Sequence, residues 1–221
     1  MLIGIDVAMR QLSPIDKLLC EIDTALRTLL VPNKRNSSRP NPGQEITEPS
    51  LSSQERRHVA GLMRVNHAGE VCAQALYQGQ AMTAKLTAVK EQMSMAAKEE
   101  VEHLAWCEQR LRELDSHPSL LNPLWYSGSL MLGALAGLAG DRWSLGFVAE
   151  TERQVSNHLQ QHLQHLPPQD IKSKAILSKM QDDETHHAEE ATAAGAAELP
   201  FLIKQLMHGV SRLLTKSSYH I

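Results

Sequence analysis

Two Glu-x-x-His pairs constrain this chain more than any other feature: Glu100-Val101-Glu102-His103 and Glu184-Thr185-His186-His187. Each follows a lone glutamate at nearly the same distance, Glu70 lying 30 residues before Glu100 and Glu152 lying 32 before Glu184. Residues three apart on an α-helix share a face, so each pair aims a carboxylate and an imidazole at one point. One glutamate from each of two helices, with Glu-x-x-His from two others, is the ligand set of a two-metal site inside a four-helix bundle. The expected ligands are Glu70, Glu100, His103, Glu152, Glu184 and His187.

Many acids and histidines surround these motifs, and the apolar stripes choose among them. On one helix the stripe runs Leu145, Val148, Ala149, Glu152, Val155, Leu159, Leu163, with Glu150 off it. On the next it runs Ile176, Leu177, Met180, Glu184, His187, Ala188, Ala191, which selects Glu184 and His187 over His186, Glu189 and Glu190. Ala97, Glu100, Val101, Leu104, Cys107 and Leu111 form a third, with His103 beside it and Glu99, Glu102 and Glu108 left to solvent or to the site's surroundings. The fourth is less clear: Leu62, Val65, Cys72 and Leu76, with Glu70 at the edge. An unpaired buried charge costs several kcal/mol, so four seam glutamates need compensation. Two divalent cations would balance them. A carboxylate and imidazole set suits iron or manganese, whereas thiolates would favour zinc. One Glu-x-x-His alone is commonplace on a helix surface. Two with matching glutamates are not, and a charged bundle without metal is the alternative.

The rest of the chain reads as helical. Ala, Leu, Gln, Glu and Met abound, while aromatic residues make up 4% of 221. Residues 12–31 suit an amphipathic helix, and 31–53, rich in Pro, Ser and Asn, read as a mobile linker. Two helical patterns run from Gln54 to about Leu114, broken near residues 84–91; a second pair covers 141–165 and 170–194 around Pro167-Pro168, and Pro200 opens a last helix. A net charge of −3 gives no reason to expect a nucleic-acid partner. Three cysteines without metal-type spacing fit a reducing, intracellular setting, with Cys72 and Cys107 as small buried residues. No secretory signal is read at the start.

Arg64-Val65-Asn66-His67-Ala68-Gly69-Glu70, taken with Glu100-x-x-His103, Ala149-x-x-Glu152 and Asp182-Asp183-Glu184-x-x-His187, resembles the demethoxyubiquinone hydroxylases. These are ferritin-like di-iron monooxygenases of ubiquinone biosynthesis. The resemblance covers about residues 54–221, including the ending Thr215-Lys216-Ser217-Ser218-Tyr219. It implies an all-α, ferritin-like four-helix bundle with a di-iron site over 54–221; residues 1–53, read from their own pattern as an N-terminal helix and flexible linker, contribute little to it. Glu70, Glu100 and His103 would hold one iron, and Glu152, Glu184 and His187 the other, with Glu100 and Glu184 bridging. His158, six positions after Glu152, is expected beside the ligands or at the surface. Asp183 and Glu99 would orient histidines or be solvated, and Tyr77 would reach the site or simply pack. The implied reaction is O2-dependent ring hydroxylation of a membrane quinol with an isoprenoid tail. The resemblance also implies an electron donor that the motifs do not specify and partners in a ubiquinone-biosynthesis complex. In a bacterium the implied place is the cytoplasmic face of the cell membrane.

Two segments fit an oily substrate. Residues 118–140 carry no charge, and 124–140 are near the lower length limit for spanning a bilayer. The segment is either a buried connecting helix or one that dips into the membrane, with Gly133 and Gly137 allowing close helix contact. The last helix sets Leu199, Leu202, Ile203, Leu206, Val210 and Leu213 against Lys204, His208, Arg212 and Lys216, which suits either a membrane surface or the bundle's side. Rival readings are iron storage or peroxide removal on the same bundle, and a metal-free scaffold that binds membranes or proteins.

Overall fold

The computed structural model describes residues 13–32, 34–48 and 50–221. Residues 1–12, including the stretch read as lacking a secretory signal, lie outside the described residues. Within them the chain forms seven helices and no strand: α1 Pro14–Leu29, α2 Ser53–Thr83, α3 Thr87–Glu113, α4 Asn122–Leu138, α5 Asp141–His165, α6 Ile171–Ala193 and α7 Phe201–Ser218. Local chemistry sets the starts. Ser13 with Asp16, and Ser52 with Glu55, close capping boxes ahead of α1 and α2, and the Asp170 carboxylate accepts from Ser173 N at the start of α6.

The bundle is two helix hairpins, α2 on α3 and α5 on α6. Two apolar clusters fill its ends. Leu62, Met63, Trp106, Leu159, Ile176 and Met180 belong to one; Tyr77, Met93, Leu145, Val148 and Ala191 belong to the other. Glu70, Glu100, Glu152 and Glu184 fall between these clusters in sequence on every helix, so the polar layer sits within an apolar interior.

The crossover α4 lies against α2 along its length. The approach is too close for side chains: a Cβ on Gly133 would fall on the Leu76 carbonyl, and one on Gly79 on the Leu130 carbonyl. Gly133 and Gly137 thus serve contact within the chain. With α3, α4, α5 and α7 around it, α2 is buried on most of its circumference, which is why its sequence shows no clean stripe. α4 is nonetheless not a buried connector, because Leu124, Met131, Leu135 and Leu138 on its outer side are exposed. The apolar residues of α7, including Phe201, Leu206 and Leu213, also face outward rather than into the bundle. Among the described residues no helix is long and apolar enough to cross a membrane. The chain's ending has a local purpose. Tyr219 lies where Gly61 leaves room for its ring, its carbonyl accepts from Arg64, and its hydroxyl pairs with His58 Nδ1 at 2.7 Å.

The segment expected to be a mobile linker is docked along the seam between α3 and α6. Arg35 pairs with Glu108 at 2.6 Å, Asn41 donates to Gln109 at 3.1 Å, and Glu48 meets Arg110 and Lys172. Its polar composition, which reads as solvated, instead serves charges on two helices. Of the two places left open for Glu102 and Glu108, solvent or the site's surroundings, both take the second, buried under this strap.

Candidate metal centre

Glu70 comes from α2, Glu100 and His103 from α3, Glu152 from α5, and Glu184 and His187 from α6; all six are buried. The seam residues chosen from sequence point inward as expected, while His186 pairs with Glu190 at the surface. Glu70, Glu100, His103 and Glu184 each offer a ligand atom within 4.8 Å of the others. His103 Nδ1 lies 3.1 Å from Glu100 Oε2, 3.1 Å from Glu184 Oε1 and 3.6 Å from Glu70 Oε2. His187 extends the group on the other side, its Nδ1 being 3.3 Å from Glu184 Oε2 and 3.5 Å from Glu100 Oε1. Glu100 and Glu184 are therefore the two carboxylates that lie between both imidazoles.

Around this group a second layer fixes the rings. The far nitrogen of His103, Nε2, meets Asp183 Oδ2 at 3.1 Å, and that of His187 meets Glu99 Oε2 at 3.1 Å. A carboxylate on the remote nitrogen sets ring orientation and tautomer and leaves Nδ1 free to face a cation. Tyr77 donates its hydroxyl to Glu152 Oε1 at 2.5 Å. His158 makes no such link: its ring lies tilted against His162, with centroids 3.9 Å apart, and His162 Nδ1 in turn pairs with Asn66 Oδ1 at 2.9 Å.

The electrostatics fit a cation. Glu100 Oε1 and Glu184 Oε1 are buried and accept no well-directed hydrogen bond, although His187 Nδ1 and His103 Nδ1 lie 3.5 and 3.1 Å from them. In a structure that pairs its buried polar atoms, two such oxygens in one cluster call for a positive ligand. Burial and the neighbouring Glu100 charge push the Glu70 carboxyl well up; burial and the Glu184 and Glu100 charges do the same to Glu152. Burial also raises Glu184, but His103 and His187 outweigh it and hold that carboxyl down at about 2. Burial would lower the His187 imidazole, yet Glu184, Glu100 and Glu152 raise it to about 10. Protons thus supply, in the metal-free protein, the positive charge that cations would supply.

A pH dependence follows. An imidazole near 10 in the fold and 6.5 when unfolded contributes stability that is complete below pH 6.5 and lost as pH rises to 10. The raised carboxyls of Glu70 and Glu152 act in the same direction. The melting temperature of metal-free protein should therefore fall steadily from pH 6.5 toward 10, whereas that of metal-loaded protein should change much less. Thermal melts of both forms across that range test this, and parallel curves would contradict it.

Some residues around the site were not picked out by the helical stripes. Arg39, from the strap, donates to Asp183 across 144 residues. His67 is wholly buried, pairing with Glu108 at 3.5 Å and with Asn122 at 3.3 Å, and burial pushes its imidazole down. Its place beside Glu70 in the Asn-His-Ala-Gly-Glu segment was the available hint.

Comparison with known proteins points to one family. The family model described as "Ubiquinone biosynthesis protein COQ7" matches residues 57–218. The 3-demethoxyubiquinol 3-hydroxylase of Legionella pneumophila (strain Corby) is 65% identical over 213 residues, which is 96% of this chain and 100% of that protein. The 3-demethoxyubiquinol 3-hydroxylase of Acinetobacter baylyi (strain ATCC 33305 / BD413 / ADP1) is 58% identical with the same coverage. With the match spanning the bundle and all six inward-facing ligand candidates, this chain belongs to the COQ7 family of ubiquinone biosynthesis proteins.

Proposed function

We propose that this chain is a 3-demethoxyubiquinol 3-hydroxylase, which adds a hydroxyl to the quinol ring using O2 at a di-iron centre. The observation that carries the reading is the buried set of four glutamates and two histidines in which Glu100 and Glu184 keep oxygens without a directed hydrogen bond between the imidazoles. The relatives' printed activity supports the choice of substrate. Glu70 and His103 would hold one iron, Glu152 and His187 the other, and Glu100 and Glu184 would bridge. Two iron ions, when bound, supply O2 reduction and oxygen-atom transfer. One atom of O2 enters the ring and the other leaves as water, with two electrons from a separate donor and two protons. The protein's share is positional. Asp183 and Glu99 hold the histidine rings, Tyr77 holds Glu152, and the apolar clusters on either side exclude water.

The exposed apolar residues of α1, α4 and α7 support a peripheral place on a membrane, where an isoprenoid tail resides. For a bacterial chain this is the cytoplasmic face of the cell membrane, alongside other enzymes of ubiquinone biosynthesis. The test is metal analysis of the purified protein, then anaerobic reduction with demethoxyubiquinol, addition of labelled O2, and mass analysis of the quinone. Two irons per chain and one labelled oxygen in the product are expected. Two irons without oxygen insertion would indicate storage or peroxide chemistry instead. No bound metal after reconstitution, with the fold intact, would remove the metal reading.

A further inference from the structure

Metal ligands of this site lie on both hairpins, yet α3 packs chiefly on α2 and α6 chiefly on α5. The α3–α6 side of the bundle is where the two Glu-x-x-His pairs face each other, and residues 37–39 of the strap cross it. Their attachment is specific. Both oxygens of Glu102, the residue before ligand His103, are filled by the strap: Ser38 N and Ser38 Oγ donate to Oε1 at 2.8 and 2.7 Å, and Arg39 N and Ser37 Oγ donate to Oε2 at 2.8 and 2.5 Å. The Arg39 side chain then reaches the opposite helix. Its Nη1 donates at 2.9 Å to Asp183 Oδ2, the same oxygen that meets His103 Nε2 at 3.1 Å. Asp183 immediately precedes ligand Glu184. On the way the guanidinium lies 5.0 Å over the Trp106 ring, and that ring packs on His103 with centroids 5.3 Å apart.

We infer that Arg39, anchored by the Ser37–Ser38 clasp on Glu102, is a positioning residue for the metal centre, holding Asp183 and hence His103 in the ligating orientation. Lys179 also pairs with Asp183, but through the other oxygen and from a more exposed side chain on the same helix. Arg39 is the residue that joins the oxygen used by His103 to the strap clasped on Glu102 of α3. The strap is therefore part of the site's construction, and the segment before the bundle reports on the metal. The inference rests on the metal-binding reading given above.

The test uses the full chain, with Co(II) in place of Fe(II) so that both affinity and the visible spectrum of bound metal are read. Removing a partner that orients a ligand weakens metal binding about 10- to 100-fold. Arg39→Ala should show such a loss at the tighter-bound stoichiometries, together with an altered Co(II) spectrum. Arg39→Lys, which keeps a cation beside Asp183, should recover much of the affinity. Arg35→Ala is the comparison, because it loosens the strap at Glu108 without touching Asp183 or Glu102. It should leave the spectrum unchanged. If Arg39→Ala does not yield folded protein, Arg39→Gln is read by the same criteria. Parent-like affinity and spectrum in the Arg39 variant overturn the inference, as do equal effects of the Arg39 and Arg35 substitutions. A parent protein that binds no Co(II) overturns the metal reading and this inference together, which separates the two failures.

Discussion

Glu184→Ala is expected to leave a folded protein that no longer holds two metal ions and that hydroxylates about a thousandfold more slowly or not at all. Glu184 lies between both imidazoles, 3.1 Å from His103 Nδ1 and 3.3 Å from His187 Nδ1, and its Oε1 has no other donor. A residue so placed contributes to both cation positions, and losing roughly 4 kcal/mol of the charge stabilisation that metals provide slows a reaction about a thousandfold. Glu152→Gln makes the contrast. It should abolish the second metal position while leaving the metal-free fold at least as stable, because the Glu152 carboxyl is disfavoured as an anion by burial and by Glu184 and Glu100. Glu184→Ala should instead destabilise the metal-free fold, since that carboxylate compensates two raised imidazoles. Metal analysis, product mass and thermal melts of the two variants decide this. Full metal content in Glu184→Ala would remove the bridging role.

Arg110→Ala carries the largest expected cost to the fold itself. The Arg110 side chain is 0% exposed, and its Nη2 lies 3.1 Å from Asp170, whose side chain is equally buried. Nε donates to Ser173 Oγ at 2.8 Å, and Nη1 reaches Glu48 and Glu113 at 2.8 and 3.2 Å. One guanidinium thus joins α3, the start of α6 and the strap. Removing it strands the Asp170 carboxylate, for which roughly 3–5 kcal/mol is the usual penalty. For a chain of this size each kcal/mol lowers the melting temperature by about 2–4 °C, so a fall of about 10 °C is expected. Asp170 also accepts from Ser173 N, and Asp170→Asn keeps an acceptor there. The double variant Arg110→Met with Asp170→Asn should therefore lose much less than the two single costs combined. Additive losses would show that the pair is not the source of the effect.

Much of the bundle was legible because two helices each bury one face. α5 spans Asp141–His165 where the pattern placed 141–165, and α6 spans Ile171–Ala193 where it placed 170–194. The apolar stripe of α6 separated Glu184 and His187 from Glu189, Glu190 and His186, and their burial divides in the same way. α2 resisted the same reading because α4 covers the side that would otherwise be polar. A helix buried nearly all round has no stripe to read. The strap was misread for the opposite reason. Ser37, Ser38 and Arg39 look like residues for water, and nothing local shows that Glu102 and Asp183 take water's place.

The sequence by itself determined the helices, the inward glutamates and histidines, and the resemblance that carries the chemistry. These depend on spacing within one helix, and a 3.6-residue period records such spacing directly. Only the tertiary structure decided that Asp183 and Glu99 hold the histidine rings across the bundle, that α4 seats its glycines on α2, and that residues 35–48 dock on α3 and α6, with Arg39 on Asp183. Those contacts join residues tens to more than a hundred positions apart. Their energies depend on distance and burial in the folded molecule, and no local pattern encodes either.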